Sequence, residues 1–330
     1  MRKEPIMNTD QTFSDIAQTP LVLASRVSPL AVAQTEYVRS RLAPISSEIA
    51  TFTTRGDEVL DRPLAAIGGK GLFVKYLEQI LLEGKADAAV HSGKDMEAHL
   101  APGTEWAAIL PRADRRDALI GSYAKLDELP HGAKIGTASV RRAAIICHHR
   151  PDLKPVLLRG SVNTRLNALK NGQYDAIILA MAGLQRLGIT EDVHPISEDV
   201  MLPAAAQGAI MVQARSAQTE NGEDKRRQQV LSAFNGIHDA VTGAEVLTER
   251  LFLETLDGSC RTPIGASAHL KGEQIYFRGL IASPDGFQCF TDEATVPVGD
   301  ASQMAKDMAF RLLEQAGGHD FLLQADKAIK

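Results

Sequence analysis

Six cationic side chains stand in short loops of Gly, Ser and Thr that follow apolar, strand-like runs: Arg26, Lys94, Arg141, Arg142, Arg159 and Arg165. The chain as a whole is acidic, at formal net charge -5, so these cations are not part of a diffuse basic excess. Several of the loops lead into helix-like stretches, whose first N–H groups and dipole favour anions. The layout fits a pocket for a small molecule that bears several carboxylates or phosphates. Arginine suits carboxylates because its planar fork holds them bidentately, which lysine does not.

The corner is repeated. Gly136-Thr137-Ala138-Ser139 runs into Arg141-Arg142, Arg159-Gly160-Ser161 runs into Arg165, and Ser25-Arg26-Val27-Ser28-Pro29 has the same form. Adjacent helical residues point about 100° apart, so an arginine pair reaches one ligand only from a helix N-terminus. Most such pairs belong to a solvated helix face; the recurrence favours binding. Ser28 is explained as an N-cap before Pro29, but Arg26 is not. Lys94-Asp95 follows an apolar run. Such neighbours are ordinarily surface charges, yet at the C-terminal edge of a parallel sheet they face the ligand crevice. An aspartate placed there can stabilise a cation that develops during reaction.

Cys260, in Asp257-Gly258-Ser259-Cys260-Arg261-Thr262-Pro263, sits in a loop rather than on an apolar face. Attachment and nucleophilic roles therefore compete with the usual fate of a lone cysteine, a small buried hydrophobe. Cys147 and Cys289 suit that fate. A cysteine–histidine enzyme needs a base beside the thiol, and none of the nine histidines is framed by a supporting motif. His148-His149 are helical neighbours whose rings diverge, so no metal site is expected. The stretch Ile67-Gly68-Gly69-Lys70-Gly71-Leu72-Phe73 lacks Walker spacing; it reads as an active-site lid hinged on glycines and carrying Lys70 and Phe73.

The elements that must carry these residues alternate. Leu21–Ala24, Ile49–Thr53, Ala86–Val90, 134–136, 156–158 and Ala176–Leu179 read as strands, the last fully apolar as in a parallel sheet covered on both faces. Helices are expected from Ser28, over 72–81 up to Gly84, from Val140, from Ser161 to Leu169, over Glu245–Leu256 and over Ala301–Gln315. Ile264–Leu270 and Gln274–Ile281 alternate like antiparallel strands. The small residues of Pro203 to Gly208 suggest a crossover, and Ser216 to Arg227 a surface excursion. The 330 residues allow two or three domains. Three cysteines without metal spacing fit a reducing cytosol. The polar first residues lack a signal core, and no apolar run reaches the roughly 18–20 residues of a membrane span. The expectation is therefore a cytoplasmic protein without a membrane or nucleic-acid partner.

In this order, Ser25 to Ala31, Thr54-Arg55-Gly56-Asp57, Gly68 to Lys75, His91 to Asp95, Arg116-Asp117-Ala118, Gly136 to Arg142, Arg159 to Leu166, Asp175 to Gly188 and Asp257 to Gly265 resemble the porphobilinogen deaminase (hydroxymethylbilane synthase) family. The resemblance implies an α/β monomer: two lobes like type II periplasmic binding proteins and a small α+β C-terminal domain. It implies a tail over 1–20, domain 1 over 21–112 and 205–236, domain 2 over 113–204 and domain 3 over 237–330. It also implies a dipyrromethane cofactor held by Cys260 through a thioether. Four porphobilinogen units, each bearing an acetate and a propionate, would be added to this primer with loss of ammonia. Water would then release hydroxymethylbilane. Asp95 matches the catalytic aspartate. Arg26, Ser28, Lys94, Thr137, Ser139, Arg141, Arg142, Arg159, Arg165 and Arg186 match positions that bind cofactor and substrate carboxylates. The chain departs from the family pattern at Gly93, usually methionine, at Ala66 and Ala138, and at Ala206, usually glycine.

Two other readings remain at this point. A two-lobed anion-binding module without catalysis would not need Cys260 in a domain of its own. A cysteine-dependent acyl-transfer enzyme would need a base near it.

Overall fold

The computed structural model describes residues 19–53, 74–97, 99–219, 222–258, 262–318 and 320–322. Lys70, Phe73, Cys260 and most of the expected tail lie outside them, as does the Ala66 departure.

Strands β1 (Leu21–Arg26), β2 (Ser47–Phe52), β3 (Ala88–Ser92), β4 (Thr104–Ile109) and β10 (Ile210–Arg215) form one five-stranded sheet in the order β2-β1-β3-β10-β4. Period-2 alternation splits it between two cores. Leu21, Leu23, Ala88 and Val90 face helix α1 (Pro29–Leu42) and helix α6 (Lys225–Asn235) through Val38, Leu42, Val230 and Phe234. Ala24 and Ala89 face helix α2 (Val74–Leu82) through Leu77, Ile80 and Leu81. Gly84, at φ +71, follows that helix as a C-terminal stop.

The second sheet repeats the plan. Strands β5 (Asp117–Ile120), β6 (Lys134–Thr137), β7 (Lys154–Leu157), β8 (Ala176–Ala180) and β9 (Val193–Pro195) lie in the order β7-β6-β8-β5-β9. Helix α3 (Val140–His149) covers one face through Ala144, Ile145 and Ile146. Helices α4 (Val162–Lys170) and α5 (Met181–Arg186) cover the other through Val162, Leu166 and Leu184. Neither sheet is purely parallel. β10 runs antiparallel to β3 and β4, and β5 antiparallel to β8 and β9. These are the strands by which the chain enters one lobe and re-enters the other. The fully apolar β8 is thus parallel to β6 but antiparallel to β5, since burial on both faces dictates composition and not direction.

The expected excursion near residue 216 becomes a two-residue ladder, β11 (Gln218–Thr219) with β12 (Gly222–Glu223), followed by α6. Helix α7 (Ala240–Thr255), capped by Asp239, starts five residues before the sequence expectation. It packs with helix α8 (Ala301–Gln315) on the antiparallel meander β13 (Ile264–Lys271), β14 (Gln274–Ala282) and β15 (Cys289–Pro297). The core there holds Phe252 edge-on to Phe277, with centroids 5.3 Å apart, and Met308 and Leu312 beside them. The molecule is thus α/β: two sheet-and-helix lobes and a small α+β domain. Among the described residues, no helix is long and apolar enough to cross a membrane.

Candidate active site

The strand-to-helix corners of both lobes open on one cavity of about 840 Å³. β1 ends at Arg26, and Ser28 Oγ then caps α1 by accepting from the Ala31 N–H at 3.3 Å. β3 ends in a single 3-10 turn, Gly93–Asp95, that places Lys94 and Asp95 on the cavity wall. β6 ends at Thr137, whose hydroxyl accepts from the Ser139 N–H at 3.1 Å, while Ser139 caps α3. After β7, Gly160 turns at φ +102, in the left-handed region that suits glycine, and Ser161 caps α4. Arg159 and Arg165 flank that turn, and Arg165 Nε donates to the Gly160 carbonyl at 2.9 Å. Arg186, the last residue of α5, reaches the Gly208 carbonyl at 2.7 Å. All of these candidates line the same cavity.

The walls are rich in positive charge. Lys94, Arg165 and Arg186 form no ion pair among the described residues; Lys94 has only a long 3.5 Å contact to Gln207 Oε1. Burial pulls Lys94 down to about 8, and nearby Arg142 pulls the same way against Asp95 and Asp117. Burial also pulls Arg165 down to about 10, helped by Arg142 and Arg159, and Arg186 to about 10. Between these cations Asp95 is exposed to the cavity, and no described group donates to its carboxylate. Apolar surface lies among the charges: Leu157 of edge strand β7 is 48% exposed, and Leu253 and Ile264 also line the cavity.

Arg141 and Arg142 are placed differently from the sequence expectation, in which both guanidiniums leave the helix N-terminus for the ligand. They form part of the cavity wall, but both are buried and turned onto Asp117. Arg142 donates to Asp117 Oδ1 from Nε at 3.0 Å and Nη2 at 2.7 Å, and to the Ile178 carbonyl from Nη1 at 2.9 Å. Arg141 donates to Asp117 Oδ2 at 2.8 Å and to the Leu202 carbonyl at 2.6 Å. A carboxylate this deep survives only when matched by charge, and α3 supplies the match.

Asp117 is therefore a member of the site framework, although sequence reasoning noted it only within Arg116-Asp117-Ala118 and gave it no role. Its signal was an acid opening the apolar strand Asp-Ala-Leu-Ile. Gln207 is another: it is buried, and its Nε2 donates to Asp117 Oδ1 at 2.9 Å and to the Arg115 carbonyl at 2.8 Å. Behind it, Arg112 grips Glu249 with two 2.8 Å bonds, and Arg115 reaches Glu245 at 2.7 Å. The four-residue spacing of Glu245 and Glu249 on one face of α7 was the available sign. His148 and His149 do diverge, one to the Gly286 carbonyl and the other to Asp127.

Residues 21–223 match the family description "Porphobilinogen deaminase, dipyromethane cofactor binding domain", and residues 244–314 match "Porphobilinogen deaminase, C-terminal domain". A curated relative from Nitrobacter winogradskyi, named porphobilinogen deaminase, is 44% identical over 329 residues, covering 97% of this chain and 99% of its own. One of the same name from Nitrobacter hamburgensis is 45% identical over 312 residues, covering 92% and 96%. Among solved structures, the Bordetella pertussis BvgS VFT2 domain aligns with 73% of this chain and 97% of its own at TM-score 0.40 and 13% identity. A substrate-binding domain of a putative amino acid ABC transporter from Streptococcus pneumoniae aligns with 66% and 92% at TM-score 0.38 and 11% identity. With both family descriptions matched in order and two curated relatives aligned nearly end to end, this chain belongs to the porphobilinogen deaminase family.

Proposed function

We propose that the arginine-walled cavity is the chamber in which this chain lengthens a polypyrrole, with Asp95 as the reacting carboxylate and Cys260 as the anchor of the primer. As a family member the chain is a transferase of tetrapyrrole biosynthesis that acts on porphobilinogen and carries a dipyrromethane cofactor. We read it as condensing four porphobilinogen molecules, with loss of ammonia, and releasing hydroxymethylbilane by hydrolysis. The observation that carries the reading is a set of half-buried cations, Lys94, Arg165 and Arg186, that form no ion pair among the described residues.

The residues present fit the cofactor. A dipyrromethane brings an acetate and a propionate on each ring, and the wall offers cationic donors from separate loops. Exposed Leu157 with Leu253 and Ile264 provides apolar surface for ring faces. Thr262, two residues after Cys260 in the sequence, lines the cavity.

Arg26, Lys94, Arg159, Arg165 and Arg186 would take the carboxylates of cofactor and substrate. The hydroxyls of Ser28, Thr137 and Ser139 accept backbone N–H bonds and retain their O–H for donation. Arg141 and Arg142 would act with Asp117 as a rigid backing. When bound, the cofactor supplies the nucleophilic α-carbon to which substrate is joined. Asp95 would accept the pyrrole N–H of the substrate at a carboxylate oxygen and stabilise the positive charge left as the C–N bond to ammonia breaks. Its carboxylate, to which no described group donates, suits that role, since an ion pair to a wall cation would already have spent its charge. Lys70 and Phe73, on the expected lid, would close over the site.

We divide the chain into domain 1 (21–112 with 205–236), domain 2 (113–204) and domain 3 (237–330). We read it as a cytoplasmic monomer that works without nucleic acid or membrane, in keeping with its charge of -5. Intact-protein mass tests the assignment. The purified chain should carry an excess of two linked pyrrole units, absent from Cys260→Ser. An active preparation with unmodified Cys260 would overturn it.

A further inference from the structure

The turn that carries Lys94 and Asp95 meets the second inter-lobe crossover at a single tight point. The Gly93 N–H donates to the Ala209 carbonyl at 3.0 Å. A Cβ on Gly93 would stand 2.9 Å from Ala206 Cβ, 2.9 Å from the Ala206 carbonyl oxygen and 3.1 Å from Met211 Sδ. These separations are below van der Waals contact, so the methyl and the carbonyl of Ala206 together close the space over Gly93, and position 93 admits only glycine while residue 206 keeps its place.

Ala206 is itself an uncommon residue. Its φ is +58, in the left-handed region where a Cβ is disfavoured and glycine would be at ease. It is held there from behind. Its N–H donates to Glu249 Oε2 at 2.7 Å, and Glu249 Oε1 accepts from the Ala268 N–H of β13 at 2.8 Å. The next residue, Gln207, ties the same turn to Asp117 and points Oε1 at Lys94. One strained residue thus joins the third domain, the Asp117 cluster and the Lys94–Asp95 turn.

We infer that Ala206 is a positioning residue for the reaction: its methyl, braced through Glu249, presses on Gly93 and fixes where Lys94 and Asp95 stand in the cavity. The inference rests on the reading of Asp95 as the reacting carboxylate. On backbone grounds glycine would be the relaxed choice at 206, and contact with Gly93 is what the methyl adds.

Ala206→Gly relieves the dihedral and removes the methyl. A purely structural alanine would leave kinetics alone. A positioning alanine should give a holoenzyme with unchanged or raised melting temperature and the full cofactor mass. Its kcat should fall about tenfold while KM stays within about twofold, because small misplacements of reacting groups act on the chemical step. Gly93→Ala should lose more, because its Cβ would also meet the residue-206 carbonyl and Met211 Sδ, contacts that Ala206→Gly leaves in place. A wild-type kcat in Ala206→Gly overturns the inference. If Gly93→Ala does not fold, Ala206→Gly decides alone. Asp95→Asn separates the two levels. Normal turnover there removes the reading of the site and this inference with it. An inactive Asp95→Asn beside an unaltered Ala206→Gly removes this inference only.

Discussion

Arg141 Nη2 donates to Asp117 Oδ2 at 2.8 Å, and the two side chains are 3% and 0% exposed. Burial alone would raise the Asp117 carboxyl; Arg141, Arg142 and Gln207 outweigh it and hold the group well below the usual carboxylate range. Asp117→Asn would leave two guanidiniums buried around a neutral amide. Breaking such a cluster costs about 3–5 kcal/mol, so denaturant titration should show a loss of that size. Arg141→Leu should likewise fail first in folding. A variant of either kind with wild-type stability would show that the cluster contributes nothing.

The same cluster sets an acid limit. A depressed acid contributes stability that is fully present above its unfolded value and is lost as pH falls towards its folded one. Stability should therefore decline from about pH 4 downward. Circular dichroism across that range checks it: Asp117→Asn should decline less steeply, and equal slopes would remove Asp117 from the account.

Lys94 gives the opposite limit. With its folded value near 8, below the usual lysine value of 10.5, the free enzyme loses this cation as pH rises through about 8. kcat/KM for an anionic substrate should fall over that interval. Lys94→Arg, which keeps its charge, should move the break to higher pH. An identical profile in the variant would mean that another group controls the limb.

Arg165 is half-buried without an ion-pair partner among the described residues. In the cofactor-free protein, Arg165→Leu removes a desolvated charge, so the melting temperature should hold or rise. Cofactor assembly or the first elongation steps should nonetheless slow, as followed by intact mass. Unchanged elongation would place this guanidinium away from the growing chain.

The anion corners were legible because each is local. Ser28, Ser139 and Ser161 cap helices that begin one residue later, and the caps bring Arg26, Arg142 and Arg165 to helix starts. The closing helix was legible to the residue, since Ala301–Gln315 carries a clear apolar period. What stayed hidden was long-range. Asp117 reaches Arg141 across 24 positions and Gln207 across 90, and no spacing rule links them. The inward turn of the arginines depends on that partner, so it could not be read from the helix alone. β10 was also missed: the expected crossover ended at Gly208 and nothing was assigned to Ile210–Arg215, which pairs between β3 and β4. Cys260 was singled out from its glycine- and proline-flanked loop, and lies outside the described residues.

The strand order also governs the sequence of events on the ribosome. The middle lobe is one uninterrupted stretch, with its sheet complete by Pro195. In the first lobe, β4 pairs with β10 alone and waits for Arg215. Because domains fold as units while synthesis proceeds, the central segment should become protease-resistant before the N-terminal one. Nascent chains stalled on either side of residues 210–215 would reveal that inversion. N-terminal protection already present at the shorter length would contradict it.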